Sequence, residues 1–512
     1  MDATLHEIQQ LIQLSDDQIQ RFYKRLKQRS RPLENITIRY RLNETEIAKI
    51  AANQHRMAGV SINARLLRSY PKGADFAHVL GYVHRINDKD LAQMIDPGAY
   101  AGTQHIGRVG LEYAYETQLH GKVGLQKVET NARGQILGTV DRQDPQPGEN
   151  LQLYLDAAVQ QAAADALGSR RGAVVAIELE TNGVLAFVSK PAYNPNLFVT
   201  GISQQQYDNY RLSPDQPLFN RVIQGQYPPG STIKPLVGLA GIENKAVSWG
   251  YRIEDPGFYQ LKNDKHKYRD WKKGGHGNRV NLHQAIVQSC DTYFYDLSFR
   301  LGIDQMHDFL DQFSLGRTTG IDLVGERTGI LPSKQWKKTQ RGRRWYHGET
   351  LINGIGQGYM LATPMQLAVA TATLAKKGQQ VIPRLVQNDT LEPAPTITLN
   401  QPKNWDKMFA AMRDVIHSPK GTAQRLGRSS PYQMAGKTGT AQVISIAQDA
   451  SYDEDELAER HKDHALFIAF APVDDPKIAI AVIVENGSHG GSTAGPIAKA
   501  TMDAYLLPRR GS

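Results

Sequence analysis

The sequence predicts an α+β chain of two domains, and three observations carry that expectation. Alternating apolar runs stand at both ends of a long helical middle, Val174–Ser189 near one end and Ala465–Ala471 with Ile478–Glu485 near the other. Such a distribution calls for one sheet that joins N- and C-terminal segments. At 512 residues the chain is also too long for one small core. The segment Asp144-Pro145-Gln146-Pro147-Gly148 has the composition of a linker and divides residues 1–147 from 148–512.

Taken in order, the first elements read as helices. Ser15 and Gln18 have capping-box spacing, and Ile19, Phe22 and Leu26 then share a face. Glu44–Asn53 repeats the pattern. From Val60 short extended pieces are expected, punctuated by Tyr70-Pro71, Gly81, Gly107 and Gly110. Past the linker, Asp156–Leu167 is an Ala-rich helix. The two runs within Val174–Ser189 are separated by Thr181-Asn182-Gly183, and Asn-Gly suits the positive φ of a type I′ hairpin. Pro472–Pro476 joins the second pair of strands, Gly495–Leu507 closes the fold as a helix, and Gly511-Ser512 reads as a cloning remnant.

Composition excludes several classes. Hydrophobic content of 40% with 22% charged residues is that of a globular protein. The longest purely aliphatic stretch, Ile478–Val484, falls far short of the ~18 apolar residues of a membrane helix. Met1-Asp2-Ala3-Thr4 opens onto a polar amphipathic segment, so no signal peptide is expected. The net charge of +9 is scattered rather than striped, which speaks against nucleic-acid binding and is compatible with anionic lipid or wall polymer. Cys290 is the lone cysteine and cannot form an internal disulfide.

Three motifs carry chemistry: Ser231-Thr232-Ile233-Lys234, then Ser289-Cys290-Asp291, then Lys437-Thr438-Gly439-Thr440. Pro228-Pro229-Gly230 halts the chain so that Ser231 opens a helix, with Lys234 on the same face one turn on. A serine hydroxyl needs a base before it can attack. A free lysine, with a pKa near ~10.4, must lose its proton to serve as one. Burial and repulsion from Lys437 are expected to lower Lys234. Ser289 can relay a proton towards a leaving amine. Lys437-Thr438-Gly439 reads as the start of an exposed strand, where Gly439 would admit substrate to the backbone and the Thr438 and Thr440 hydroxyls could hold a carboxylate. The backbone N–H groups of Ser231 and Thr440 are the expected oxyanion donors.

These motifs, in this order, resemble the transpeptidase domain of the penicillin-binding proteins. Gly354-Ile355-Gly356-Gln357-Gly358-Tyr359, followed by Ala362-Thr363-Pro364-Met365-Gln366, is similar to the monofunctional class. Several segments resemble its elongation-specific branch: Arg68–Gly73, His78–Val83, Gly107–Glu112, Tyr268–Lys273 and Asp291–Tyr295. The resemblance implies a penicilloyl-serine transferase (β-lactamase-like) domain with a five-stranded antiparallel sheet flanked by helices, behind an elongated pedestal or dimerisation domain. It implies DD-transpeptidation of peptidoglycan stem peptides through a Ser231 acyl-enzyme, without a cofactor for the chemistry and with β-lactams as acylating agents. Implied partners are a SEDS-family glycosyltransferase and a rod-shape scaffold protein at the pedestal. Implied location is the bacterial inner membrane, with a periplasmic catalytic domain on a single membrane helix that this sequence lacks. Many relatives carry Asn where Asp291 stands; a carboxylate accepts hydrogen bonds but cannot donate them.

Asp255, Asp270, His276 and Cys290 form the pattern D-x14-D-x5-H-x13-C between the first two motifs. Carboxylate, imidazole and thiolate are zinc ligands, and four of them close a tetrahedral structural site. If Ser289 and Asp291 face a cleft, Cys290 points behind it. The other reading is a buried free cysteine, with Asp255 capping a turn before Pro256 and Asp270 paired to Lys272 or Lys273. For the function, a hydrolase shares all three motifs, and a penicillin sensor would be acylated without turnover.

Overall fold

In the computed structural model the described residues are 2–27, 36–64, 66–93, 96–100, 102–131, 136–387, 394–443 and 458–508. Gly511-Ser512 lies outside them. Strands β1 (Gly172–Glu178), β2 (Val184–Lys190), β3 (Ala435–Ala441), β4 (His464–Ala471) and β5 (Ile478–Val484) form one antiparallel sheet in the order β3-β4-β5-β1-β2. The N- and C-terminal segments meet at β5 and β1, where Val482 faces Val174.

Four of the five strands are apolar almost without interruption, because both faces are covered; β3, which carries Lys437, Thr438 and Thr440, is the exception. Helix α5 (Pro364–Ala375), buried at every residue, packs on one face. Helices α1 (Ala157–Leu167) and α6 (Gly495–Leu506) pack together on the other. Asp156 caps α1, accepting from the Ala158 and Val159 amides at 2.9 and 3.1 Å. Between the strand pairs run the helices that carry the motifs: α2 (Lys234–Glu243), α3 (Leu282–Gln288) and α4 (Asp291–Leu301).

Two local expectations differ. Asn182 takes φ +62°, but Gly183 has no positive φ, and residues 179–183 form a longer loop in place of a type I′ turn. The Thr181 hydroxyl stabilises that loop by accepting from the Gly183 amide. Strand β3 lies at the sheet edge, yet it is not exposed: Ala435–Gly439 are all buried beneath the turn that carries Ser231 and the segment 490–494.

In the first domain, Asp2–Leu11, Asp16–Lys27 and Glu44–Asn53 are helical. Ser15 and Gln18 exchange the reciprocal bonds of a capping box, and Asn43 and Glu46 do the same for the third helix. Ile8, Ile12, Ile50 and Met57 form the core of this part. Beyond it, Tyr82–Arg85 pairs with His105–Val109, and Leu125–Thr130 with Ile136–Gln143. Short helices, such as Ala77–Leu80 and Gly110–Ala114, intervene where only extended pieces were expected. The linker segment is held rather than free: Gln146 and Lys122 exchange backbone hydrogen bonds of 2.9 Å, and the Glu149 amide donates to Gln118. The domains touch through the Tyr115 hydroxyl, which donates to Asp322 at 2.8 Å, and through paired bonds between Tyr70 and Asn196. Among the described residues no helix is long and apolar enough to cross a membrane.

Candidate active site

The serine turn is built from its flanks inward. Tyr227 and Ala362 exchange backbone hydrogen bonds of 2.9 and 2.8 Å, and the Gly230 amide donates to the Gly356 carbonyl at 2.8 Å. Gly230 sits at φ +52°, and a Cβ there would overlap the Thr440 carbonyl oxygen. Only glycine lets the turn close against the edge of β3. Ser231 lies in a single 3-10 turn, Gly230–Ile233, that runs into α2 with Pro235 in its first turn. Its side chain is half-buried.

Lys234 is fully buried. Its Nζ donates to Asp291 Oδ1 at 2.6 Å, to the Ser289 carbonyl at 2.8 Å and to Ser289 Oγ at 3.3 Å. It also stands 5.3 Å from the centre of the Phe294 ring. Ser231 Oγ makes no hydrogen bond among the described residues, so Lys234 is one turn away but not bonded to it.

The second motif is a sharp corner. Ser289 ends α3 with φ +58°, and Cys290 caps α4 by accepting from the Tyr293 amide. This corner turns Ser289 and Asp291 towards Lys234 and sends Cys290 the other way, as expected. The Trp271 amide donates to Asp291 Oδ2 at 3.1 Å, so each carboxylate oxygen has a donor.

Lys437 reaches in from β3. Its Nζ donates to Ser289 Oγ and to the Thr438 carbonyl, both at 2.9 Å. Burial holds Lys437 well below the ordinary lysine range, and the charge of Lys234 pushes it further down against the opposing pull of Asp291. Lys234, for its part, is ion-paired with Asp291.

The remaining third-motif residues also have definite places. Thr438 Oγ1 is 2.9 Å from Thr422 Oγ1. The Thr440 carbonyl accepts from Gln357 Nε2 at 3.0 Å, so it faces the free edge of the sheet. In an antiparallel ladder a residue's N–H and C=O leave on the same side, which turns the Thr440 amide to that edge too. A Cβ on Gly439 would lie 2.6 Å from Thr232 Cγ2. This glycine therefore serves the close packing of β3 on the serine turn.

Sequence reasoning gave no role to Trp271, Gln357 or Thr422. It also missed Tyr227, whose hydroxyl donates to Glu485 Oε1 at 2.7 Å and so ties the chain before Ser231 to the end of β5. Gly356, at φ +73°, was quoted only as part of a pattern; that positive φ, next to a helix end, is the signal of its structural role.

Behind the second motif, two small hairpins converge. Asp255 ends a strand paired with Gly277–Asn281, and Asp270 follows one paired with Phe258–Gln260. Asp255, Asp270, His276 and Cys290 each present one ligand atom, all within 4.8 Å of one another. Asp255 Oδ2 accepts from His276 Nδ1 at 2.7 Å and from Cys290 Sγ at 3.3 Å. Burial works to raise the Asp255 carboxyl, but hydrogen bonds from His276, Thr292, Gly257 and Cys290 outweigh it and hold it well below the usual range. Burial pushes the Cys290 thiol up, helped by Asp270 and Asp255; burial and then Asp291 push Asp270 up. His276 Nε2 is buried without a partner among the described residues. Asp255 also caps its turn, accepting from the Gly257 amide at 2.8 Å. Asp270 forms no ion pair with Lys272 or Lys273 among the described residues; it accepts the Lys272 backbone amide at 3.0 Å.

Residues 172–503 match the family described as penicillin binding protein transpeptidase domain, and residues 1–153 the penicillin-binding protein dimerisation domain. The chain belongs to the penicillin-binding protein transpeptidase family. Among this family, peptidoglycan D,D-transpeptidase MrdA of Acinetobacter baumannii is 47% identical, across 100% of this chain and 76% of its own length. MrdA of Escherichia coli is 38% identical, across 99% and 82%. The solved complex between PBP2 and MreC from Helicobacter pylori superposes with TM-score 0.87 at 33% identity, covering 100% of this chain and 92% of the other. Pseudomonas aeruginosa PBP2 in complex with WCK 5153 gives 0.78 at 47%, covering 88% and 93%. Penicillin-binding membership and the five-stranded fold, both implied by the motifs, therefore hold.

Proposed function

We propose that the chain is a peptidoglycan DD-transpeptidase of the elongation-specific, class B kind, and that Ser231 is its nucleophile. The observation that carries this reading is the Ser289 hydroxyl, bonded at once to the two buried lysines of the first and third motifs. When Lys437 is neutral, a proton passes from Lys234 through Ser289 to Lys437, and Lys234 is then free to accept the Ser231 proton. Ser231 Oγ attacks the carbonyl carbon of the D-Ala-D-Ala amide. The C–N bond breaks, the amine takes a proton back along the same chain, and D-Ala leaves. An amine from a neighbouring strand then attacks the ester and restores Ser231. The Ser231 and Thr440 amides stabilise the oxyanion, a contribution of about 3 kcal/mol per donor. Thr438 and Thr440 hydroxyls hold the substrate carboxylate.

Asp255, Asp270, His276 and Cys290 fit a structural zinc ion: their donor set is of zinc's kind, and their ligand atoms already converge. Such an ion would brace the second motif from behind. The division at residues 147 and 148 separates this chemistry from a pedestal that binds partners. The solved PBP2–MreC complex supports a rod-shape scaffold protein as one of them. A structure on the coordination of polymerization and crosslinking by a peptidoglycan synthase complex, 26% identical with TM-score 0.77, supports a peptidoglycan-polymerising partner as another, the role the motifs' resemblance gives to a SEDS-family glycosyltransferase. In this reading the natural protein sits in the inner membrane with its catalytic domain in the periplasm.

Intact-mass measurement after incubation with a β-lactam tests the function. One adduct per chain is expected, absent in Ser231→Ala and persisting for many minutes. An adduct on the alanine variant would sink the assignment, and one lost within seconds would make the protein a hydrolase.

A further inference from the structure

Trp271 is 59% exposed, yet it is not a loose surface residue. Its amide donates to Asp291 Oδ2 at 3.1 Å, and its indole N–H donates to the Gln288 carbonyl at 3.2 Å. Those partners flank Ser289 and Cys290, so the ring is pinned at both ends to the corner that holds Ser289. Gly275, at φ +72°, fixes the loop behind it, because a Cβ there would overlap the Asp255 carbonyl. On one side the ring meets His276, with centroids 5.8 Å apart. With its only donor already satisfied, the indole offers a ligand nothing but apolar surface. Its rotamer is fixed in advance, so little conformational entropy remains to be lost on binding. Lys272 and Lys273, both exposed, adjoin it and favour a ligand that carries negative charge further out.

Resting on the function proposed above, we infer that Trp271 is a specificity-determining contact for the apolar group that the acyl donor carries on the N-acyl side of the residue whose carbonyl is attacked. In a stem peptide this is the aliphatic arm of the residue before D-Ala-D-Ala; in a penicillin it is the acyl substituent. The competing account is that the indole merely shields the Asp255, Asp270, His276 and Cys290 cluster from water.

Acylation efficiency towards benzylpenicillin and towards 6-aminopenicillanic acid, which lacks the acyl substituent, separates the two. In Trp271→Ala, benzylpenicillin should lose about tenfold more acylation efficiency than 6-aminopenicillanic acid, the size of one aromatic contact beyond any loss the two share. Trp271→Phe should recover most of the loss. Equal losses for both compounds with a lowered melting temperature would assign Trp271 to shielding, and no loss for either would overturn the contact. Calorimetry of benzylpenicillin on Ser231→Ala, with and without Trp271→Ala, reads the contact without chemistry. Weaker binding by about tenfold supports it and equal binding overturns it. A wild-type chain that forms no Ser231 adduct would sink the functional reading alone, and the calorimetry would still decide Trp271.

Discussion

Ser289 Oγ lies 2.9 Å from Lys437 Nζ, and the same hydroxyl is 3.3 Å from Lys234 Nζ. One serine therefore couples two buried lysines, and among the described residues the one carboxylate bonded to them is Asp291. The structure relieves the surplus charge at Lys437.

Acylation should follow the deprotonation of that lysine. Because its folded value is depressed, the rate should rise with pH along a limb whose midpoint lies well below lysine's ordinary 10.5. Lys437→Arg keeps the charge but cannot become neutral, so acylation should fall about 100-fold or more. Stability gives an independent check. A lysine with a depressed folded value binds its proton more readily when unfolded, so the wild type should gain stability relative to Lys437→Met as pH rises towards 10.5. Parallel melting curves across that range would contradict the assignment.

Asp291 accepts at both oxygens, from Lys234 and from the Trp271 amide. An amide has one acceptor and one donor end, so Asp291→Asn must turn its NH₂ against one of these donors. We expect acylation to slow by about tenfold or more, the size of one charge-assisted hydrogen bond. Unchanged kinetics would show that this position needs only its shape.

How much of this was legible in the sequence depended on distance along the chain. The serine, the two lysines and the second motif were readable because each is a short pattern with a local reason: a proline-glycine break, a helix turn, an edge strand. The sheet order was readable because apolar runs mark both ends. The bond from Tyr227 to Glu485 and the contact of Gly439 with Thr232 join segments more than 200 residues apart and leave no periodicity. The lowering of Lys437 was not legible for a related reason: it depends on burial and on the placing of Lys234 and Asp291 around it, which are properties of the folded site. The small hairpins around Asp255 and Asp270 were missed because strands of three or four residues are too short to show alternation.

Gly439→Ala tests the packing argument. Its Cβ, 2.6 Å from Thr232 Cγ2, must push β3 away from the serine turn. Overpacking of this kind costs about 1–3 kcal/mol, read as a lower melting temperature, and the displaced Thr440 amide should slow acylation by at least about tenfold. Wild-type acylation would show that the strand can shift without disturbing the site.

The hairpin of the first domain should be indifferent to the chemistry. Leu137 and Val140 are 64% and 71% exposed on a two-stranded ribbon remote in sequence from every motif. Replacing both by Asp should leave the rate of Ser231 acylation unchanged while weakening contacts with a pedestal partner. A slowed acylation would place the hairpin within reach of the site.

The last expectation concerns the ion. Without one, Asp255, Asp270, His276 and Cys290 bring two carboxyls and a thiol into a buried space, where the thiol and the Asp270 carboxyl are both pushed up. A divalent cation reverses that logic, since it favours the deprotonated form of every ligand. Elemental analysis of protein purified without a polyhistidine tag should find about one zinc per chain, the stoichiometry of a closed four-ligand site. Cys290→Ser should lose it. Binding at a free concentration about 1,000 times Kd adds about 4 kcal/mol to stability, so the variant and the chelated wild type should both melt earlier. Because Asp270 precedes Trp271, whose amide holds Asp291, removing the ion should also loosen Asp291 and slow acylation without abolishing it. Metal-free protein whose melting is untouched by chelation would leave the four residues as a buried hydrogen-bonded cluster around a free cysteine.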